Sequence, residues 1–145
     1  MLSRLTFAAL ALFVASAFLY TPAAPAQDKD SKEVAKGEIH KADKAGSGTV
    51  TLYQLADGKR VLRLTDFSVD NGPDLHVRLI AAKDAKDTAS VAKTDHVELG
   101  KLKGNKGSQN YDVPASVDLS KYKVVSIWCN RFSVNFAAAP LKAGK

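Results

Sequence analysis

Hydrophobic and polar residues trade places along this chain in short runs. From Gly37 onward, segments of four to eight residues rich in Val, Leu, Ile, Thr, Tyr and Phe are bounded by Gly, Asn, Asp and Pro. Runs of that length with such boundaries read as strands. They predict strands at residues 38–41, 49–55, 60–67, 75–81, 96–99, 109–113, 122–129 and 132–137. Turn chemistry separates them at Gly46-Ser47-Gly48, Asp57-Gly58, Asn71-Gly72-Pro73, Gly104-Asn105-Lys106-Gly107 and Asn130-Arg131. Gly and Asn tolerate positive φ there, and Pro presets a turn φ. Residues 82–93 have room for one short surface helix, and neither an internal repeat nor a strand–helix–strand alternation occurs. About eight short strands at this spacing predict an all-β fold, a single antiparallel β-sandwich or barrel-like domain.

The pattern is sharpest near the C-terminus, where the runs at 122–129 and 132–137 flank Asn130-Arg131. A two-residue turn pairs Cys129 with Phe132, Ile127 with Val134 and Val125 with Phe136, all apolar and all on one face. The other face pairs Trp128 with Ser133, Ser126 with Asn135 and Val124 with Ala137. A one-residue slip would carry Ser133 and Asn135 into the core. This register turns Cys129 inward at the turn end of the hairpin. It sets Trp128 on the opposite face as a packing element with its N–H bonded at an edge. The same test at Asp57-Gly58 separates no two clean faces, which predicts a bulge or a longer loop.

The N-terminal texture is different. Arg4 precedes an apolar run free of charge over residues 5–20, and Ala24-Pro25-Ala26 follows as a small-x-small cleavage signal. This predicts a cleaved signal peptide over residues 1–26. The run is shorter than the ~20 residues a bilayer-spanning helix needs, and no basic cluster follows it. The expectation is export, to a periplasm or out of the cell, with no stable membrane span after cleavage. Residues 27–36 are polar and charged and read as a flexible spacer, 37–141 as the β domain and 142–145 as a tail.

Charge and composition narrow the chemistry. The formal net charge is +6, but Arg60, Arg63, Arg78 and Arg131 are scattered, so no nucleic-acid partner is expected. One Cys excludes an intramolecular disulfide, a CxxC redox pair, c-type haem attachment and a cysteine-rich zinc site. His40, His76 and His96 lack the spacing of a ligand set, so no metal site is predicted. Asp66, Asp70 and Asp74 lie in a loop-like stretch, yet Gly72 stands seventh from Asp66 and Val77 twelfth. A calcium loop needs a bidentate Glu at the twelfth place, so these carboxylates read as turn formers. Residues 100–108 lack the spacing of a phosphate loop, and no strained nucleophile turn or Ser/His/Asp order occurs. No independent enzymatic activity is expected.

Cys129 remains as the candidate for chemistry. As a thiolate it is a nucleophile or a metal ligand. Arg131, two residues on, would favour that form if its guanidinium folds back over the turn. As a thiol it is a small buried hydrophobe, the usual behaviour of a free Cys. Both readings follow from the residues alone.

Several motifs then fall in a fixed order: VLRLTDF (61–67), NGPDLHV (71–77), LGKLKGNKGSQNYDVP (99–114) and YKVVSIWC (122–129), followed by Phe132. Spread over roughly Gly37 to Leu141, the set resembles the DM-thirteen domain, a small extracytoplasmic module also called the electron-transfer DM domain. The resemblance implies a β-sandwich-like fold and a redox role. It places the family's signature thiol at Cys129, used uncombined or as ligand to a prosthetic group such as haem. Arg131 and Trp128 are its candidate supporting residues. One departure is visible: members often carry a His just before the first Ser-Gly, where Lys44 stands here, with His40 four residues away. Two functions follow: an exported redox module with a redox or protein partner, or a non-catalytic β-sandwich for binding in which Cys129 is packed.

Overall fold

In the computed structural model, which describes residues 30–144, ten strands run in two antiparallel sheets. They are β1 (Lys32–Glu38), β2 (His40–Lys41), β3 (Gly46–Gln54), β4 (Arg60–Val69), β5 (Leu75–Ile80), β6 (His96–Lys101), β7 (Gln109–Val113), β8 (Val124–Cys129), β9 (Val134–Pro140) and β10 (Lys142–Ala143). The first sheet has the order β10-β1-β3-β4-β7 and the second β2-β9-β8-β5-β6. The fold is the expected all-β sandwich, open rather than closed into a barrel. The expected signal peptide, residues 1–26, lies outside the described residues.

Alternation along each strand builds the core. Val50 and Leu52 of β3 pair with Leu64 and Leu62 of β4, and Leu62 pairs in turn with Tyr111 of β7. On the facing sheet, Leu75, Val77 and Leu79 of β5 pair with Cys129, Ile127 and Val125 of β8. All of these side chains are buried in one cluster between the sheets. Fully burying one such aliphatic side chain is worth roughly 1.5–3 kcal/mol, so this two-sided seam is the main source of cohesion.

Four local readings are corrected. First, the C-terminal hairpin closes through four residues, 130–133, so Cys129 faces Val134 and Trp128 faces Asn135. The register then shifts, leaving Phe136 as an extra, bulged residue before Ile127 meets Ala137. The bulge keeps Phe136 inside at 2% exposure, while Phe132 stands 59% exposed on the loop and Val134 is half-buried. Ser133 has φ 51°, and Asn130 donates its N–H to the Asp74 carbonyl at 2.9 Å, which ties the loop sideways to the start of β5. Second, the spacer becomes strand at Lys32: β1 pairs along β3, and Ala35 and Lys36 pair with Ala143 and Lys142 of the supposed tail. Alternating Lys and Glu on its exposed face thinned the hydrophobic signal. The described residues therefore form ten strands rather than about eight.

Third, Gly46-Ser47-Gly48 is no turn but the start of β3, with a register shift between Ser47 and Thr49. Gly48 has φ +118°, and a Cβ there would come within 2.9 Å of the Asp66 carbonyl, so only glycine fits the bulge. Fourth, residues 82–93 form turns and no helix. Asp87 caps a single turn by taking the Ser90 N–H, and only Val91 and Ala92 close onto the Thr88 carbonyl before the chain leaves, so no helix propagates. The Asp57-Gly58 connection is the longer loop expected, five residues between Gln54 and Arg60.

Candidate functional site

Cys129 is the last residue of β8 and is completely buried. Strand alternation turns its side chain into the space between the sheets, with Leu75 of β5 opposite on one side and Val134 of β9 on the other. Gly72 closes the same corner: a Cβ there would lie 2.8 Å from Leu75 Cδ2 and 3.0 Å from Phe136 Cε2. Outside that corner a cleft of about 270 Å³ opens between the turn leading into β5 and the loop after β6. Asn71, Asp74, Leu75, Lys101 and Asn105 line it. Leu75 thus borders both the cleft and the thiol.

The other face of the same strands carries a polar network. Trp128 is half-buried there, opposite His76 across the β5–β8 ladder. The Arg78 guanidinium lies 5.1 Å from the centre of its ring, a cation–π arrangement. Arg78 also donates from Nε to Glu98 Oε2 at 3.0 Å and from Nη2 to Asn130 Oδ1 at 2.6 Å. The His76 ring joins Asp74, 2.9 Å from Nε2, to Glu98, which bonds Nδ1. The hydrogen bond from His76 holds the Asp74 carboxyl below its usual range against the opposing effect of desolvation, with help from the charges of His76, Lys101 and Arg131.

Arg131 is exposed on the 130–133 loop, and its charge is felt at Asp74. Of the expected trio, Cys129 points into the core while Trp128 and Arg131 lie outside it. Glu98 belongs to this surface but escaped the sequence reading. The alternation of β5 places His76 and Arg78 on one polar face. Only the pairing of β5 with β6, not readable from sequence, supplies Glu98.

A haem or other bulky group does not fit on Cys129. The thiol faces the packed interior, whereas His76 on the neighbouring strand faces outward, so the two share no open face for a planar ligand. His40 and His96 lie on strands at opposite edges of the second sheet. Among the described residues no three His, Cys, Asp or Glu side chains converge as a metal site. The three aspartates of the loop-like stretch also go separate ways. Asp66 is exposed on β4, Asp70 accepts from the Ala45 N–H at 3.2 Å, and Asp74 bonds His76.

Comparison with known proteins places the chain against a family model. That model, described as Electron transfer DM13, covers residues 38–141. No curated protein and no solved structure matches significantly.

Proposed function

The chain belongs to the electron transfer DM13 family, and on that premise we propose that it is an exported electron-transfer module whose redox-active group is the Cys129 thiol. One observation carries this reading. The chain's single Cys stands at the very end of β8, adjacent to the exposed loop 130–133 rather than in mid-sheet. Strand ends open at lower free energy than strand centres, so local opening there admits a partner without global unfolding. A lone thiol stores no intramolecular disulfide, so its oxidation to a disulfide needs a partner's sulfur. The Cys129 thiolate, its proton lost to solvent, attacks a protein disulfide of the partner. A new S–S bond joins Cys129 to one partner sulfur, and the other leaves as thiolate. Export rests on Arg4, the apolar run over 5–20 and the Ala24-Pro25-Ala26 signal.

The complete burial of Cys129 favours a second reading, a binding module in which the thiol only packs. Alkylation of the native protein by iodoacetamide separates the two. The redox reading expects labelling faster than global unfolding allows, abolished in Cys129→Ser. Labelling that only keeps pace with unfolding leaves the packed reading. Sequencing the N-terminus of protein recovered from outside the cytoplasm tests export, with Gln27 expected first.

A further inference from the structure

Residues 81–95 carry neither helix nor strand, yet they cross the outer face of the second sheet. Ala85 and Val91 are buried there against Ile80, Val124 and Ala138. Beneath them Ser126 Oγ donates to Asn135 Oδ1 at 2.8 Å, both residues fully buried. Asn135 reaches up to the segment, donating from Nδ2 to the Ala85 carbonyl at 3.2 Å and from its backbone N–H to Thr88 Oγ1 at 2.9 Å. Irregular segments of this length are uncommon within a small domain and are usually functional or disordered, and this one is packed and hydrogen-bonded.

The segment ends its crossing at β2, the edge strand. There the His40 ring lies between two acceptors, Asp84 Oδ1 2.7 Å from Nε2 and the Lys41 carbonyl 2.7 Å from Nδ1. Only an imidazolium has a hydrogen on both nitrogens to donate to both. Asp84 is itself fixed by the Ala85 N–H at 2.7 Å. The other charged groups at this seam are Lys86, whose charge opposes that of His40, and Asp43, which is occupied by the Thr88 N–H at 3.0 Å.

We propose that residues 81–95 form a strap that protonated His40 holds to β2 and that opens more readily when His40 is neutral, transiently uncovering the apolar strip Ile80–Val124–Ala138. Burial works against charge on His40, but the Lys41 carbonyl and Asp84 outweigh it and its pKa is raised above 6.5. Latching is therefore complete below about pH 6.5 and fades as the pH climbs through the folded value. Burial likewise opposes charge on Asp84, and the bonds from His40 and Ala85 outweigh it, so the carboxylate pKa is lowered. The acid side of the latch then fails only below the ordinary carboxylate range.

Amide hydrogen exchange of the full domain tests this, each rate divided by that of an unstructured chain at the same pH. Between about pH 6 and about pH 8 the opening of Thr88, Val91 and Ala92 is expected to rise about threefold, the scale of one partly exposed ion pair. The amides of β5 and β8 should not move with it. His40→Gln should show the more open strap at both pH values, and Asp84→Asn should flatten the profile in the same way. Strap opening that is independent of pH in the wild type, or equal in wild type and His40→Gln at about pH 6, overturns the proposal. The wild-type titration decides the matter even if a variant folds poorly.

Discussion

Leu75 and Cys129 stand directly opposite one another on β5 and β8, both buried between the sheets. Residues so placed have Cβ atoms ~4.5–5.5 Å apart, which makes Leu75 the thiol's immediate screen. Leu75 also borders the outer cleft. Leu75→Ala is expected to speed alkylation of native Cys129 by about tenfold or more, as an open path to the sulfur replaces the isobutyl group. Leaving a cavity also costs about 2–5 kcal/mol, so the control is Leu62→Ala, a fully buried leucine on the other sheet. Mass spectrometry of labelled protein makes the comparison. Equal acceleration in both variants would mean that labelling follows stability alone and that Leu75 screens nothing.

Phe136 and Phe132 are expected to behave oppositely. Phe136 is 2% exposed and packs in the main core, so Phe136→Ala should cost about 3–5 kcal/mol in denaturant unfolding. Phe132 is 59% exposed on the loop, and Phe132→Ala should stay within about 0.5 kcal/mol of wild type. A large loss at Phe132 would restore the two-residue turn and its register.

That pair also marks what the sequence made legible. Although Phe136 is inside only as the inserted residue of a bulge, parity correctly put Val125, Ile127 and Cys129 there, because alternation survives wherever no residue is inserted. It failed at Phe132, because a bulge at Phe136 and a four-residue loop each shift the count, and neither leaves a hydrophobic trace. Cys129 was found as the one residue of its kind. Its burial followed from parity, but its screening by Leu75 depends on β5 lying beside β8, a long-range choice no local pattern encodes. The polar face of β5 was visible in His76 and Arg78, whereas their partner Glu98 was not. The covering of Ser126 and Asn135 was equally hidden. Both looked like solvent-facing residues until residues 81–95 folded over them.

Ser126 and Asn135 are expected to act as a unit. Each is fully buried, and Ser126 Oγ donates to Asn135 Oδ1 at 2.8 Å. Asn135→Ala strands the Ser126 hydroxyl and the Ala85 carbonyl, at a cost of about 1–3 kcal/mol for an unmet buried group. Ser126→Ala leaves Asn135 its bond to Ala85 and should cost less. In a double-mutant cycle by chemical denaturation the two should couple by about 0.5–3 kcal/mol. Strict additivity would mean that the pair is open to water in solution.

Tyr111 should set the alkaline limit of stability. Its ring is buried, its hydroxyl accepts the Lys103 N–H at 2.8 Å, and the Lys103 ammonium lies 5.0 Å from the ring centre. Burial raises the phenol's pKa above 10, and the bond from the Lys103 N–H only partly offsets it. Above about pH 10 the unfolded chain loses a phenolic proton that the native chain retains, so the native state binds more protons there. Stability from this source is therefore complete below about pH 10 and falls as the pH rises beyond it. Spectrophotometric titration of the tyrosines near 295 nm should show one group ionising late in native protein and none late in denaturant. In Tyr111→Phe the late group disappears, and the alkaline fall in the denaturant midpoint becomes shallower. It does not vanish, because Lys121 is also raised, mainly by its hydrogen bond to Asp95, and loses its proton in the same direction. Near neutral pH the same variant gives up about 1 kcal/mol, since the Lys103 N–H loses its phenolic acceptor. An unchanged alkaline slope in Tyr111→Phe would place the limiting group elsewhere in the chain.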